Sequence, residues 1–135
     1  MGVASERPGA VRAAVVCLWI SVGLALAITA AQVARLLPAA DVEMTALIGL
    51  ASAGLLALIA AMIGAGRGWA RWLFAVVYAI GALATVATML AVPQLYLAMP
   101  TLLQVSTAAQ FALQTVALVL IFTGASLRWF ADQAR

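Results

Sequence analysis

The fold is decided by residues 46–93, ALIGLASAGLLALIAAMIGAGRGWARWLFAVVYAIGALATVATMLAVP. Two apolar runs stand there, each long enough to cross a bilayer as a helix of about 20 residues. Between them lies only Gly64-Ala65-Gly66-Arg67-Gly68. A glycine-rich connection this short turns the chain back on itself, so the two helices lie antiparallel. Pro93 ends the second run because it has no amide hydrogen to donate. A helical hairpin that is apolar all round presents nothing for water to solvate, and it belongs in a membrane, where helices satisfy their own backbone groups.

Working outward, the same pattern recurs on both flanks. Upstream, an apolar run over residues 11–37 stops at Pro38, and at 1.5 Å per residue it spans about 40 Å, enough to cross with tilt. Asp41 is the expected N-cap of the second helix, with Glu43 in the first turn, where the helix dipole favours an anion. Downstream, Pro93 and Pro100 bracket an uncharged loop whose Leu95, Tyr96 and Leu97 are expected at the membrane interface. A fourth run and a short tail follow. The expected fold is all-α: a polytopic membrane protein built as an antiparallel four-transmembrane-helix bundle. It forms one domain over residues 1–135, with spans at 11–37, 42–64, 69–92 and 101–124 and a cytoplasmic tail at 126–135. Composition agrees, since 67% of the residues are hydrophobic and 8% charged, against roughly 25% charged in soluble domains.

Orientation follows from the basic residues, all of them arginine. Arg7, Arg12, Arg67, Arg71, Arg128 and Arg135 fall at one end of the spans and Arg35 alone at the other. The positive-inside rule puts the arginine-rich end, with both termini, in the cytoplasm of a bacterial cell, and the chain in the inner (plasma) membrane. Trp69, Trp72, Trp129 and Phe130 fall at the same boundary, where amphipathic rings settle. The expected cytoplasmic interface is therefore Arg67, Trp69, Arg71, Trp72, Arg128 and Trp129. Asp41 or Glu43 is expected to pair with Arg35 across the first hairpin. So unequal a charge distribution argues against insertion in both orientations, and charge dispersed at helix ends argues against nucleic acid as a partner.

Two patterns lie within the spans. On the second helix Ala46, Gly49, Ala53, Ala57, Ala60 and Gly64 fall within about 80° of arc, a smooth groove that lets another backbone approach closely. Ala75, Ala79 and Ala82 form a similar strip on the third helix, so these two helices are expected to pack closely along most of their length. Polar residues also share faces: Ser21, Ala25, Thr29 and Gln32 on the first helix, Tyr78, Gly81, Thr85 and Thr88 on the third, and Thr107, Gln110 and Gln114 on the fourth. Lipid cannot satisfy an amide, so these faces are expected to turn inward. Gln32, Thr88, Gln104, Thr107, Gln110 and Gln114 are the candidate binding residues of a polar interior, most of it in the outer half of the bilayer.

Catalytic and metal chemistry find few carriers. The chain has no histidine and no asparagine, one unpaired cysteine, and four acidic residues, all expected outside the hydrocarbon core. No general base stands at depth to activate a hydroxyl. Zinc would need clustered cysteine or histidine, and Asp41 with Glu43 offers calcium too few ligands. No metal, no cofactor and no enzymatic activity are expected. Cys17 does not follow a complete apolar region and reads as a core residue rather than a lipidation site. Ala25-Leu26-Ala27 would pass as a signal cleavage motif, but the apolar run continues to Leu37, which favours a retained span. Small multidrug-resistance carriers have this length and helix count yet rely on a carboxylate in the first helix, where this chain has Ser21 and Ala25.

The stretches Gly66-Arg67-Gly68-Trp69-Ala70-Arg71-Trp72 and Ser126-Leu127-Arg128-Trp129-Phe130 resemble the helix boundaries of uncharacterised small four-helix inner-membrane proteins of proteobacteria. The resemblance covers about a tenth of the chain and implies architecture without an activity. The expected function is that of a non-enzymatic integral membrane interaction or assembly protein. Besides the lipid bilayer, its partner would be another membrane protein or a second copy of itself. The alternative is an oligomeric channel or carrier for a small neutral or amphipathic molecule, using a polar cavity that faces the periplasm.

Overall fold

The structure, a computed structural model, describes residues 6–36 and 41–134. Leu37 and Pro38, the expected end and stop of the first span, lie outside the described residues, as does Arg135. Six helices follow one another: α1 (Gly9–Leu36), α2 (Val42–Gly64), α3 (Gly68–Ala91), α4 (Pro93–Leu97), α5 (Thr101–Ile121) and α6 (Gly124–Gln133). Helices α1, α2, α3 and α5, of 28, 23, 24 and 21 residues, are each long and apolar enough to cross a membrane. They pack into an all-α four-helix bundle, and the chain is a multi-pass membrane protein. Of the four, α5 is the least apolar, because it carries Gln104, Gln110 and Gln114.

The turn between α2 and α3 shows why the glycines stand where they do. Gly66, at φ 78°, holds the only positive φ among the described residues. Its amide donates to the Ile63 carbonyl at 3.0 Å, and the Arg67 amide donates to the Met62 carbonyl at 3.1 Å. This is a Schellman ending, which closes the last carbonyls of α2 and needs a left-handed residue after the cap. At the other end of α2, Asp41 makes no side-chain cap bond, contrary to expectation. Its backbone, at φ −89° and ψ 1°, lacks the extended geometry that aims an N-cap carboxylate at the first amides. Asp41, Glu43 and Arg35 are all exposed, and no ion pair joins them.

Packing corrects the expectation about the small-residue groove. Helices α2 and α3 touch only sparsely, whereas α1 packs extensively against both α2 and α5. The groove of Gly49, Ala53, Ala57, Ala60 and Gly64 seats α1: a Cβ added at Gly49 would overlap the Thr29 side chain, and one at Gly64 would meet Val15 at 3.9 Å. Thr29 opposite residue 49 and Val15 opposite residue 64 also fix the pair as antiparallel. The physical reason is complementarity. A smooth groove gains contact from a ridge of larger side chains, and Val15 and Thr29 of α1 supply one, which leaves the groove filled before α3 reaches it. Ala75 is half-buried and Ala79 exposed.

The apolar core lies toward the arginine-rich end. Val11, Leu18 and Val22 of α1, Ile59 and Ile63 of α2, Phe74 of α3 and Ile121 of α5 form one cluster. Trp129 and Phe130, 7% and 2% exposed, complete it from α6. Trp129 was expected at the cytoplasmic interface; it is a core residue because the tail is a helix folded back under the bundle. The fold-back begins short of residue 124, the expected end of the fourth span, because α5 ends at Ile121. Thr123 is extended, and its hydroxyl and that of buried Ser126 both reach the Leu120 carbonyl, at 2.9 and 2.7 Å. These bonds add side-chain donors at a carbonyl that also accepts from the Thr123 amide at 3.4 Å. Gly66 then lies against α6: a Cβ there would meet Gln133 Cγ at 3.0 Å and Trp129 Cη2 at 3.1 Å.

Candidate functional site

Away from the core the bundle is hollow. A cavity of about 400 Å³ opens between the four long helices, its walls supplied by Ala25 of α1, Ser52 and Leu56 of α2, Phe74, Tyr78 and Thr85 of α3, and Thr107, Gln110, Phe111 and Gln114 of α5. Thr85 and Thr107 also wall a second hollow of about 330 Å³, which reaches Gln32, Thr88 and Tyr96 beside α4. The hollow exists because α3 is held to its neighbours mainly at one end. Its buried residues, Ala70 and Phe74, both lie in its first two turns. Beyond them the Tyr78 hydroxyl meets the Thr115 hydroxyl of α5 at 2.6 Å, and Phe111 packs edge-on to Tyr78 at 6.0 Å.

The hydrogen-bonding state of the cavity walls sets what they can still bind. Ser52, Thr85 and Thr107 each donate their hydroxyl to the carbonyl four residues back, at 2.8 Å. Those donors are used, and only their acceptor capacity remains. Gln110 and Gln114, one turn apart and half-buried, make no hydrogen bond among the described residues. Each therefore presents one acceptor and two donors to the cavity. No charged residue lines this cavity, and Leu55, Leu56, Phe74, Val77 and Phe111 make most of its surface apolar. The arrangement suits a neutral molecule with an apolar body and at least one hydrogen-bonding group.

The expected binding residues are only partly brought together. Thr107, Gln110 and Gln114 share the larger cavity, Gln32 and Thr88 the smaller one. Gln104 stands apart from both: its amide donates to the Tyr96 carbonyl at 3.1 Å and the Met99 carbonyl at 2.9 Å, holding the short helix α4 against the start of α5. Thr29 donates to the Ala25 carbonyl at 2.8 Å and packs on α2. Ser21, fully buried, finds no partner for its hydroxyl among the described residues. Sequence reasoning missed Tyr78–Thr115 as a cross-helix bond, although Tyr78 stood on the polar face of its helix; Thr115 did not, and nothing in the spacing paired them. Among the described residues no three histidine, cysteine, aspartate or glutamate side chains gather in one place.

At the arginine-rich end a second constellation forms around Arg71, in the first turn of α3. Its guanidinium carbon lies 5.4 Å from the ring centre of Phe130, 5.8 Å from Phe122 and 5.9 Å from Trp72. Trp72 and Phe122 themselves meet edge-on at 5.2 Å. The guanidinium nitrogens Nε and Nη1 are sealed from the surface without a hydrogen-bond acceptor. Ring faces offset such a charge by about 0.5–2 kcal/mol apiece, less than the several kcal/mol that stripping water from an ion takes. Compared with known protein families, with curated proteins and with solved structures, the chain matches none.

Proposed function

We propose that the protein binds a neutral amphipathic molecule within the membrane, in the cleft of a single protomer, and acts as a non-catalytic carrier or binding protein for it. The observation that carries this reading is the pair Gln110 and Gln114, turned into an uncharged cavity of about 400 Å³ with no hydrogen bond to the described residues. A volume of this size falls in the range of small-molecule pockets, about 300–1,000 Å³. The walls ask for a ligand with an apolar body and a hydroxyl, carbonyl or amide at one place. The arginine-rich end is proposed to face the cytoplasm and the hollow end the periplasm, in a bacterial inner membrane; reporter fusions to either terminus check this, and a reporter active only outside would reverse it.

The direct test is mass spectrometry of the protein purified from native membrane, followed by titration with whatever neutral lipid or small amphiphile co-purifies. Changing Gln110 and Gln114 together to leucine is expected to weaken that binding by about tenfold or more, from the loss of two hydrogen bonds of roughly 1 kcal/mol each. The folded protein should not lose stability, since leucine removes unmet amides. Undiminished binding in the double variant sinks the reading.

A rival reading keeps the protein as an assembly factor that engages a membrane partner through its helix faces. What favours it is Ala79 of α3, a small residue left exposed on the helix. The occupant would be a partner's transmembrane helix with larger side chains, and cysteine crosslinking from position 79 distinguishes it from lipid.

A further inference from the structure

Among the described residues, Arg71 is the one arginine at the arginine-rich end that the fold draws inward, and its surroundings are incomplete. Three aromatic rings close around the guanidinium, and Nε and Nη1 are sealed among them without an acceptor. Arg71 as a whole is half-buried, and Nη2 is not among its sealed nitrogens. Rings balance part of the charge through their faces but accept no hydrogen bond of the strength a carboxylate or phosphate oxygen does. No acidic residue of the described chain pairs with Arg71. Its position compounds the imbalance. The first turn of α3 holds no acid, and Arg67 at its N-cap makes no side-chain cap bond. Two arginines thus stand at the positive end of a helix dipole, where an anion is the stabilising occupant.

The depth indicates what that anion is. Trp69 and Trp72, on either side of the arginine-bearing turn, are 52% and 59% exposed, and tryptophans so placed at the end of a membrane helix lie at the level of the lipid headgroups. We infer that Arg71, with Arg67 one turn before it, holds the phosphate of an anionic phospholipid. A zwitterionic headgroup brings its own cation to a site that already has two, so the site selects net negative charge. The chemistry at Nη2 is phosphate-oxygen recognition, which free inorganic phosphate also offers, and the experiment separates the two sources.

The full-length protein is placed in nanodiscs of phosphatidylcholine alone or of phosphatidylcholine with phosphatidylglycerol, and its thermal midpoint and retained lipids are measured. Phosphatidylglycerol is expected to raise the midpoint and to remain bound through native mass spectrometry. In Arg71→Gln the rise disappears and retention falls by about tenfold, as the loss of one charge-assisted bond predicts. The readout is the difference between the two lipids, so a general loss of stability from an emptied ring cage does not imitate it. Arg67→Gln, outside the cage and exposed, tests the same site if Arg71→Gln does not fold, and a smaller rise is expected there. Arg128→Gln, on the exposed side of α6, keeps the rise of the unchanged protein. An equal rise in the unchanged protein and in every folded variant overturns the inference, as does no rise in the unchanged protein. A rise reproduced by inorganic phosphate in phosphatidylcholine alone overturns a lipid as the source.

Discussion

Two glycines show how little room the structure leaves at particular residues. At Gly49 an added Cβ would overlap Thr29 of α1, and Gly66 combines a left-handed backbone with side chains of α6 just outside it. Gly49→Ala is expected to destabilise the protein by about 1–3 kcal/mol, the usual penalty for overpacking. Gly66→Ala should lose about 1–2 kcal/mol from the backbone alone. Gly54, whose added Cβ meets nothing within 4 Å, is the control: alanine there should stay within about 0.5 kcal/mol. Unfolding in detergent mixtures ranks the three, and equal midpoints for Gly49→Ala and Gly54→Ala would contradict the packing described. Gly49 and Gly66 were visible in the sequence as a groove member and as a turn glycine. That Thr29 and Trp129 press on them was not, because each contact joins residues far apart in the chain.

At the scale of elements, the polar side chains divide into those that finish a helix and those that are left open. Gln104 belongs to the first kind. Its amide bridges two carbonyls of the α4 segment, and α4 has no buried residue of its own to anchor it. Gln104→Leu is therefore expected to raise amide hydrogen exchange in residues 93–99 while leaving α1 and α2 unchanged; unaltered exchange there would show that the bridges do not hold the segment. The sequence grouped Gln104 with Gln110 and Gln114 as a candidate binding residue, although it stood nearer the outer end of its helix. The difference arises because a helix start offers free carbonyls in the adjoining turn, and mid-helix positions offer none. Helix α6 was not legible: the sequence offered only a cytoplasmic tail at 126–135, because what buries Trp129 and Phe130 is contact with helices distant in the chain.

For the whole molecule, the decisive asymmetry is a packed half and a hollow half. The core cluster gathers residues from α1, α2, α3, α5 and α6 toward the arginine-rich end, whereas α3 buries nothing beyond Phe74. Segments with few buried contacts open at lower free energy than those in a core. Spin labels pairing α1 with α3 are thus expected to give a narrow distance distribution near Trp72 and a broad one near Leu90, both in lipid. Equal widths would mean that α3 is as firmly held at the hollow end.

The sequence by itself determined the class, the number of crossings and the grouping of arginines at one end. Each of these follows from local quantities: the length of an apolar run, the short turn at Gly66, the proline at 93. It also marked the polar faces of three helices, because periodicity is local too. Only the tertiary structure decided which helix fills the α2 groove, that Trp129 and Phe130 turn into the core, and that Gln110 and Gln114 open on a cavity while Gln104 does not. The physical reason is that groove filling, burial and hydrogen-bond satisfaction depend on the shape of a distant partner, and a smooth alanine-glycine face specifies close approach without specifying what approaches.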